Sequence, residues 1–167
     1  VKFDQNSANK TADTLKSDIL TTLTNYNTNT LTQFDGVFRY SKVTGLIDNT
    51  DSSILSNITT LKIRKDFTPT LTVSSKYNVY FRNSLHNPHS GHNSAAGGIL
   101  ESSGFKVSGD SSTVFYLDDD GVGNVRRYSF SGATRVYTAS DQGTIDYANG
   151  AITINSLSVL SVENIRG

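Results

Sequence analysis

The residues best equipped for chemistry are three evenly spaced histidines, His86-x-x-His89-x-x-His92. Neutral imidazole is a common zinc ligand. Against a metal centre, this spacing matches no usual zinc pattern, and Pro88 and Gly91 make the stretch an irregular loop. The nearest carboxylates in sequence, Asp66 and Glu101, are remote, so a fourth ligand is missing. The prediction is a solvated loop and no metal. A second cluster, Asp118-Asp119-Asp120-Gly121-Val122-Gly123, resembles a calcium loop at first sight. An EF-hand frame needs oxygens at positions 1, 3 and 5, glycine at 6 and glutamate at 12. Counted from Asp118, Gly123 falls at position 6, but Val122 stands at 5 and Ser129 at 12, so the frame fails. A glycine-containing turn with exposed carboxylates is expected instead, with Arg126 and Arg127 close enough in sequence to balance them.

Other catalytic patterns are missing. The chain has no P-loop, no Gly-x-Ser-x-Gly elbow and no dinucleotide fingerprint after Gly121-x-Gly123. Asp118, Asp141 and Asp146 are candidates for a carboxylate pair, yet nothing in the sequence sets two of them across a cleft. Asp146, between Ile145 and Tyr147, reads as a surface position of a hairpin. Asn57-Ile58-Thr59 is a glycosylation sequon without a secretory signal. No enzyme, no cofactor and no small-molecule substrate is predicted.

The elements that carry these residues follow from composition and period. The chain has 167 residues, 35% hydrophobic and 18% charged. That is lean in core formers and poor in charge, with Ser, Thr, Asn and Gly in the difference, so a β-rich and loop-rich protein partly stabilised by partners is expected. Fifteen basic residues balance fifteen acidic ones, which leaves no net field to attract nucleic acid. Cysteine is absent, which excludes disulfides and thiolate sites. Methionine is absent as well, and the chain is expected to start inside a longer product. No apolar run approaches the roughly 20 residues of a membrane span.

From Ser7 to Leu31 the chain lacks Gly and Pro. Leu15, Ile19, Leu23 and Tyr26 make one stripe of a helix, with Thr11 or Asp13 as its cap. The opposite face is polar and of mediocre helix propensity, so the stripe must pack on something, either its own domain or another chain. Further helical turns are expected at 38–48, and a short helix at Ser53–Asn57. From Ile58 the period becomes that of strands. Strands are predicted at 58–67, 76–82 (Tyr77, Val79 and Phe81 on one face), 99–102, 105–107, 113–117, 125–130, 135–138 and 157–162. Gly143–Ile154 reads as a hairpin with a type I′ turn at Asn149-Gly150. Residues 83–98 form a loop. The fold class is α+β, a helical segment over 1–56 followed by a mainly antiparallel β domain over 57–167. Sandwich, barrel and two small sheets remain open for the β domain.

Three stretches carry a resemblance. Tyr40-Ser41-Lys42-Val43, Ile47-Asp48-Asn49-Thr50-Asp51-Ser52-Ser53-Ile54 and Asn57-Ile58-Thr59 follow one another in the order and spacing found in the baseplate wedge subunit of T-even-like contractile-tailed phages, including those of cyanobacteria. Val43 stands where that family has Leu. Residues 116–124, Tyr-Leu-Asp-Asp-Asp-Gly-Val-Gly-Asn, and 143–150, Gly-Thr-Ile-Asp-Tyr-Ala-Asn-Gly, are similar to it too. The resemblance covers roughly residues 37–155. It implies a piece of the C-terminal half of a longer virion protein in the tail baseplate, assembled in the host cytoplasm. It also implies homodimers, contact with a second long wedge protein and closure into a ring that rearranges on contraction. It brings no catalytic residues. On this reading Leu15, Ile19, Leu23 and Tyr26 are the expected interface. The alternative is a glycan-binding β module of a tail fibre or adhesin, with Tyr and Asp of the 116–128 hairpin holding the sugar.

Overall fold

The computed structural model describes residues 1–163, arranged as two compact units that divide between Ile63 and Arg64. The first unit begins with strand β1 (Lys2–Phe3) and helix α1 (Ala12–Tyr26). Thr11 caps α1 by accepting the amide of Thr14 at 3.3 Å, as its position before the apolar stripe predicts. Thr21 and Thr24 return their hydroxyls to the carbonyls of Ser17 and Leu20 on the exposed side. The helix then widens into a π-turn, Asn27–Leu31. Helix α2 (Tyr40–Asp48) packs on α1, and Leu15, Tyr26 and Ile47 form the buried centre.

The Ser53–Asn57 helix does not form. Ile54–Ser56 is strand β2, paired antiparallel with β1 through Lys2↔Ser56 and Phe3↔Ile54. Asp51 is the cause. Its carboxylate takes the amide of Ser53 at 3.0 Å and its hydroxyl at 2.8 Å, a turn that competes with helix. Residues 58–67 are extended but join no ladder. Their apolar side chains Ile58, Leu61, Ile63 and Phe67 are exposed, so strand propensity there has no neighbour to act on.

The second unit is built on strands β3 (Ser75–Tyr80), β4 (Phe105–Val107), β5 (Asp110–Asp119), β6 (Asn124–Ser131), β7 (Thr134–Asp146), β8 (Ala151–Leu157) and β9 (Val159–Val162). They form one antiparallel sheet in the order β3-β8-β7-β6-β5-β4-β9. Only Ser158 separates β8 from β9, yet these two strands lie on opposite sides of the β7-β6-β5-β4 meander. The sheet must therefore roll up until one continuous β8–β9 segment joins its two ends, a barrel-like closure. Phe105, Phe115, Leu117, Val125, Ile145, Ile152, Ile154, Leu157 and Val159 fill the interior.

Closure needs a bend in β7. One residue of β6, Arg126, faces three of β7, Ser140, Asp141 and Gln142; beyond this bulge Gly143 and Thr144 pair with β6 on one side and β8 on the other. Gly143 follows the bulge, where any Cβ would collide with the Thr153 carbonyl. Tyr77 and Val79 share the inward face of β3 as predicted. The 99–102 segment is not a strand; Ser102 is stitched to Leu117 by its own hydroxyl and amide. Asn149-Gly150 is not a type I′ turn either. Asp146 pairs with Ala151, leaving a four-residue loop, Tyr147–Gly150, in which only Gly150 has positive φ. Asp146 holds that loop by accepting from both the amide and the side chain of Asn149.

Candidate functional site

The acidic run does not sit in an exposed turn. Strand β5 continues through Asp119, and both Asp118 and Asp119 are at most 1% exposed. They project to opposite faces of the sheet, as strand alternation requires. Asp118, on the outer face, receives Arg126 Nε at 2.9 Å, Arg135 Nη1 at 2.7 Å and the Tyr137 hydroxyl at 2.9 Å. Arg126 stacks over the Tyr137 ring and Arg135 over that of Tyr128, so both cations are held by charge and by π-faces. Arg127 plays no part in this. Its alternate position turns it to Thr138 and the Phe115 ring, which corrects the expectation that it balances the aspartates.

Asp119, on the inner face, accepts four donors: the amides of Ile99 (2.7 Å), Leu100 (2.6 Å) and Gly121 (3.1 Å), and the hydroxyl of Tyr147 (2.6 Å). Burial, then this hydrogen bond, pushes the Tyr147 phenol well above its ordinary pKa. Burial alone disfavours the charge of Asp120. Its bonds to Asn124 and Val122 and the nearby Arg126 outweigh that and lower its pKa.

Together these carboxylates clamp the 91–100 segment to the barrel. Arg126 also donates to the Ser94 carbonyl at 3.0 Å, and Gly97 and Gly98 lie so close to Arg135 and Asp119 that neither tolerates a Cβ. Every oxygen of Asp118 and Asp119 is engaged by protein, so the cluster is an internal fastening rather than a ligand site. Chain position was legible, but burial was not: the available signal was Asp118 and Asp119 continuing the alternation of 113–117, with Arg126 opposite Asp118 on β6.

The other candidates are placed as follows. Of the helical stripe, Leu15 and Tyr26 are buried inside the first unit, while Ile19 and Leu23 are half-buried. The Tyr26 hydroxyl donates to the Val37 carbonyl at 3.3 Å. Asp48, Asp51, Ser53 and Asn57 hold the chain that follows α2: Asn57 Nδ2 bonds Asp48 at 2.6 Å, and Lys10 bridges Asp18 at 2.8 Å and Asp51 at 3.3 Å. Asp141 and Asp146 are exposed, and Asp118 faces its arginines, so no two of these three share a cleft. A shallow depression lined by Ser84, Asn87, Val122, Asp146 and Tyr147 contains one carboxylate, already taken by Asn149. On the outer face of the barrel, Tyr116, Tyr128, Phe130 and Tyr137 pack ring to ring with centroids 5.4–5.8 Å apart. No described helix is long and apolar enough to cross a membrane.

Residues 1–66 match the family model of the baseplate structural protein gp6, C-terminal domain III. The matched segment contains α1, α2 and the Asp48–Asn57 run described above. The matched family is described as a baseplate structural protein, and the match covers the first 66 of the 167 residues. No curated protein and no solved structure matches the chain.

Proposed function

We propose that the chain is part of the baseplate wedge of a contractile phage tail, working through interfaces with a second copy of itself and with neighbouring wedge proteins that close a ring. The observation that carries this reading is the match of residues 1–66 to a baseplate domain. A property of the same segment favours it. Leu20, Phe34, Val37, Leu55, Ile58, Leu61 and Ile63 are each more than half exposed, a large apolar surface for a 63-residue unit. Surfaces of that kind usually belong to interfaces. With Leu15 and Tyr26 turned inward, the part of the helical stripe left for a partner is Ile19 and Leu23, flanked by exposed Leu20.

Light scattering over a range of concentrations tests this. The expected result is a dimer or larger species that Ile19→Asp, combined with Leu20→Asp, returns to monomer while circular dichroism keeps the helical signal. A strict monomer at the highest attainable concentration would overturn self-association through this chain.

A further inference from the structure

The three histidines are not scattered in solvent. His89 and His92 meet edge to face with ring centroids 4.9 Å apart, and His86 meets His92 the same way at 5.6 Å. Nδ1 of His89 lies 3.2 Å from the Ser90 carbonyl. A carbonyl only accepts, so this nitrogen carries the proton and Nε2 is left with its lone pair. That lone pair faces Nδ1 of His92 at 3.2 Å. The carbonyl behind His89 favours this tautomer, as a supporting shell does in metal sites, and the two facing nitrogens are then placed to share one proton.

We propose that the 86–92 loop binds a divalent transition-metal ion, with His89 Nε2 and His92 Nδ1 as the first two ligands and His86 as the third. Two nitrogens on one tetrahedral ion at ~2.0–2.1 Å bonds stand about 3.3–3.4 Å apart. The 3.2 Å gap is close to that length, and each ring has to tilt to turn its nitrogen from its neighbour toward a shared ion. The ion takes the place of the bridging proton, His92 shifts that proton to its own Nε2, and no net charge has to leave the protein. Among the described residues no three donors yet converge on one point. His86, exposed beside His92, supplies the third by turning about its own side-chain bonds. The loop backbone is already in place. Gly91 N–H and Asn87 Nδ2 both donate to the Gly121 carbonyl, at 2.9 and 3.1 Å, and His92 N–H donates to the His89 carbonyl at 3.1 Å. Gly121 abuts the Gly91–His92 backbone so closely that it admits no Cβ. An all-imidazole set selects zinc, nickel, copper or cobalt and passes over magnesium and calcium, which want oxygen. The inference does not rest on the baseplate reading.

Calorimetric titration of the full chain, free of any affinity tag, with Zn²⁺ tests it, with Mg²⁺ as control. One Zn²⁺ per chain is expected, and imidazole nitrogen shifts should report metal on His89 Nε2 and His92 Nδ1. His89→Gln and His92→Gln should each weaken binding at least tenfold, and His86→Gln several-fold, with circular dichroism unchanged. Non-saturating binding, or binding that survives the His89→Gln/His92→Gln double substitution, would overturn the site. Unchanged affinity in His86→Gln would overturn the three-imidazole assignment.

Discussion

Replacing Asp119 by alanine removes the only acceptor shared by the Ile99, Leu100 and Gly121 amides and the Tyr147 hydroxyl. A fully buried donor left without a partner costs about 1–3 kcal/mol; the Gly121 bond is buried and the other three are part-buried, so roughly 4–12 kcal/mol for all four is a ceiling. The full sum is not reached, because the 97–100 segment can lift and admit water. The expected loss is about 3–5 kcal/mol, large for one substitution. Asp119→Asn keeps one carbonyl oxygen for Ile99 and Leu100 but turns an amide N–H₂ toward the Gly121 donor, and should lose about 1–3 kcal/mol. The chain has two units, so one unfolding curve does not isolate the barrel. Amide exchange does: Ile99 and Leu100 report the clamp, and Val125 and Ile152 report the barrel. In Asp119→Ala the barrel amides should exchange about 10²–10⁴ times faster, the ratio that 3–5 kcal/mol implies. A change under about 1 kcal/mol would refute the argument that Asp119 fastens the segment.

Two more outcomes follow from the same geometry. The Tyr147 pKa is raised on folding, so its contribution to stability is complete below the unfolded value near 10 and is lost as pH climbs through the folded one. Urea midpoints read from the methyl resonances of Val125 and Ile152, which report the second unit, should therefore differ most between wild type and Tyr147→Phe near about pH 8 and draw together above about pH 11; a constant gap would show that the phenol does not titrate as argued. Gly143→Ala drives a methyl into the Thr153 carbonyl and should lower stability by ~2 kcal/mol or more, read by faster exchange of the Val125 and Ile152 amides; unchanged exchange would mean that β7 and β8 are not so closely apposed.

Much of the architecture was legible because it rests on local period. The stripe from Leu15, the Thr11 cap, the strand at 105–107 and the 113–154 meander all follow from side-chain spacing within one element. What escaped depended on distant partners. Residues 58–67 have the composition of a strand and lack a ladder. Ser53–Asn57 has the composition of a short helix, yet Asp51 claims its first amide and β1 claims its edge. Burial of Asp118 was invisible until Arg135 and Tyr137, two strands away on β7, were known to reach it. The contact between His89 and His92 was hidden as well, because it is made by a loop anchored on Gly121, far along the chain.

The segment that closes the barrel also decides how it bears load. β8 is bonded on one side to β7 and on the other to β3, and β9 is bonded to β4 while Thr72 N–H reaches the Val159 carbonyl at 2.7 Å. Tension along this segment meets hydrogen bonds that run crosswise to the pull, so they must shear together instead of unzipping one at a time. The barrel is thus braced along one line, because Ser158 alone joins the strand held by β7 and β3 to the strand held by β4.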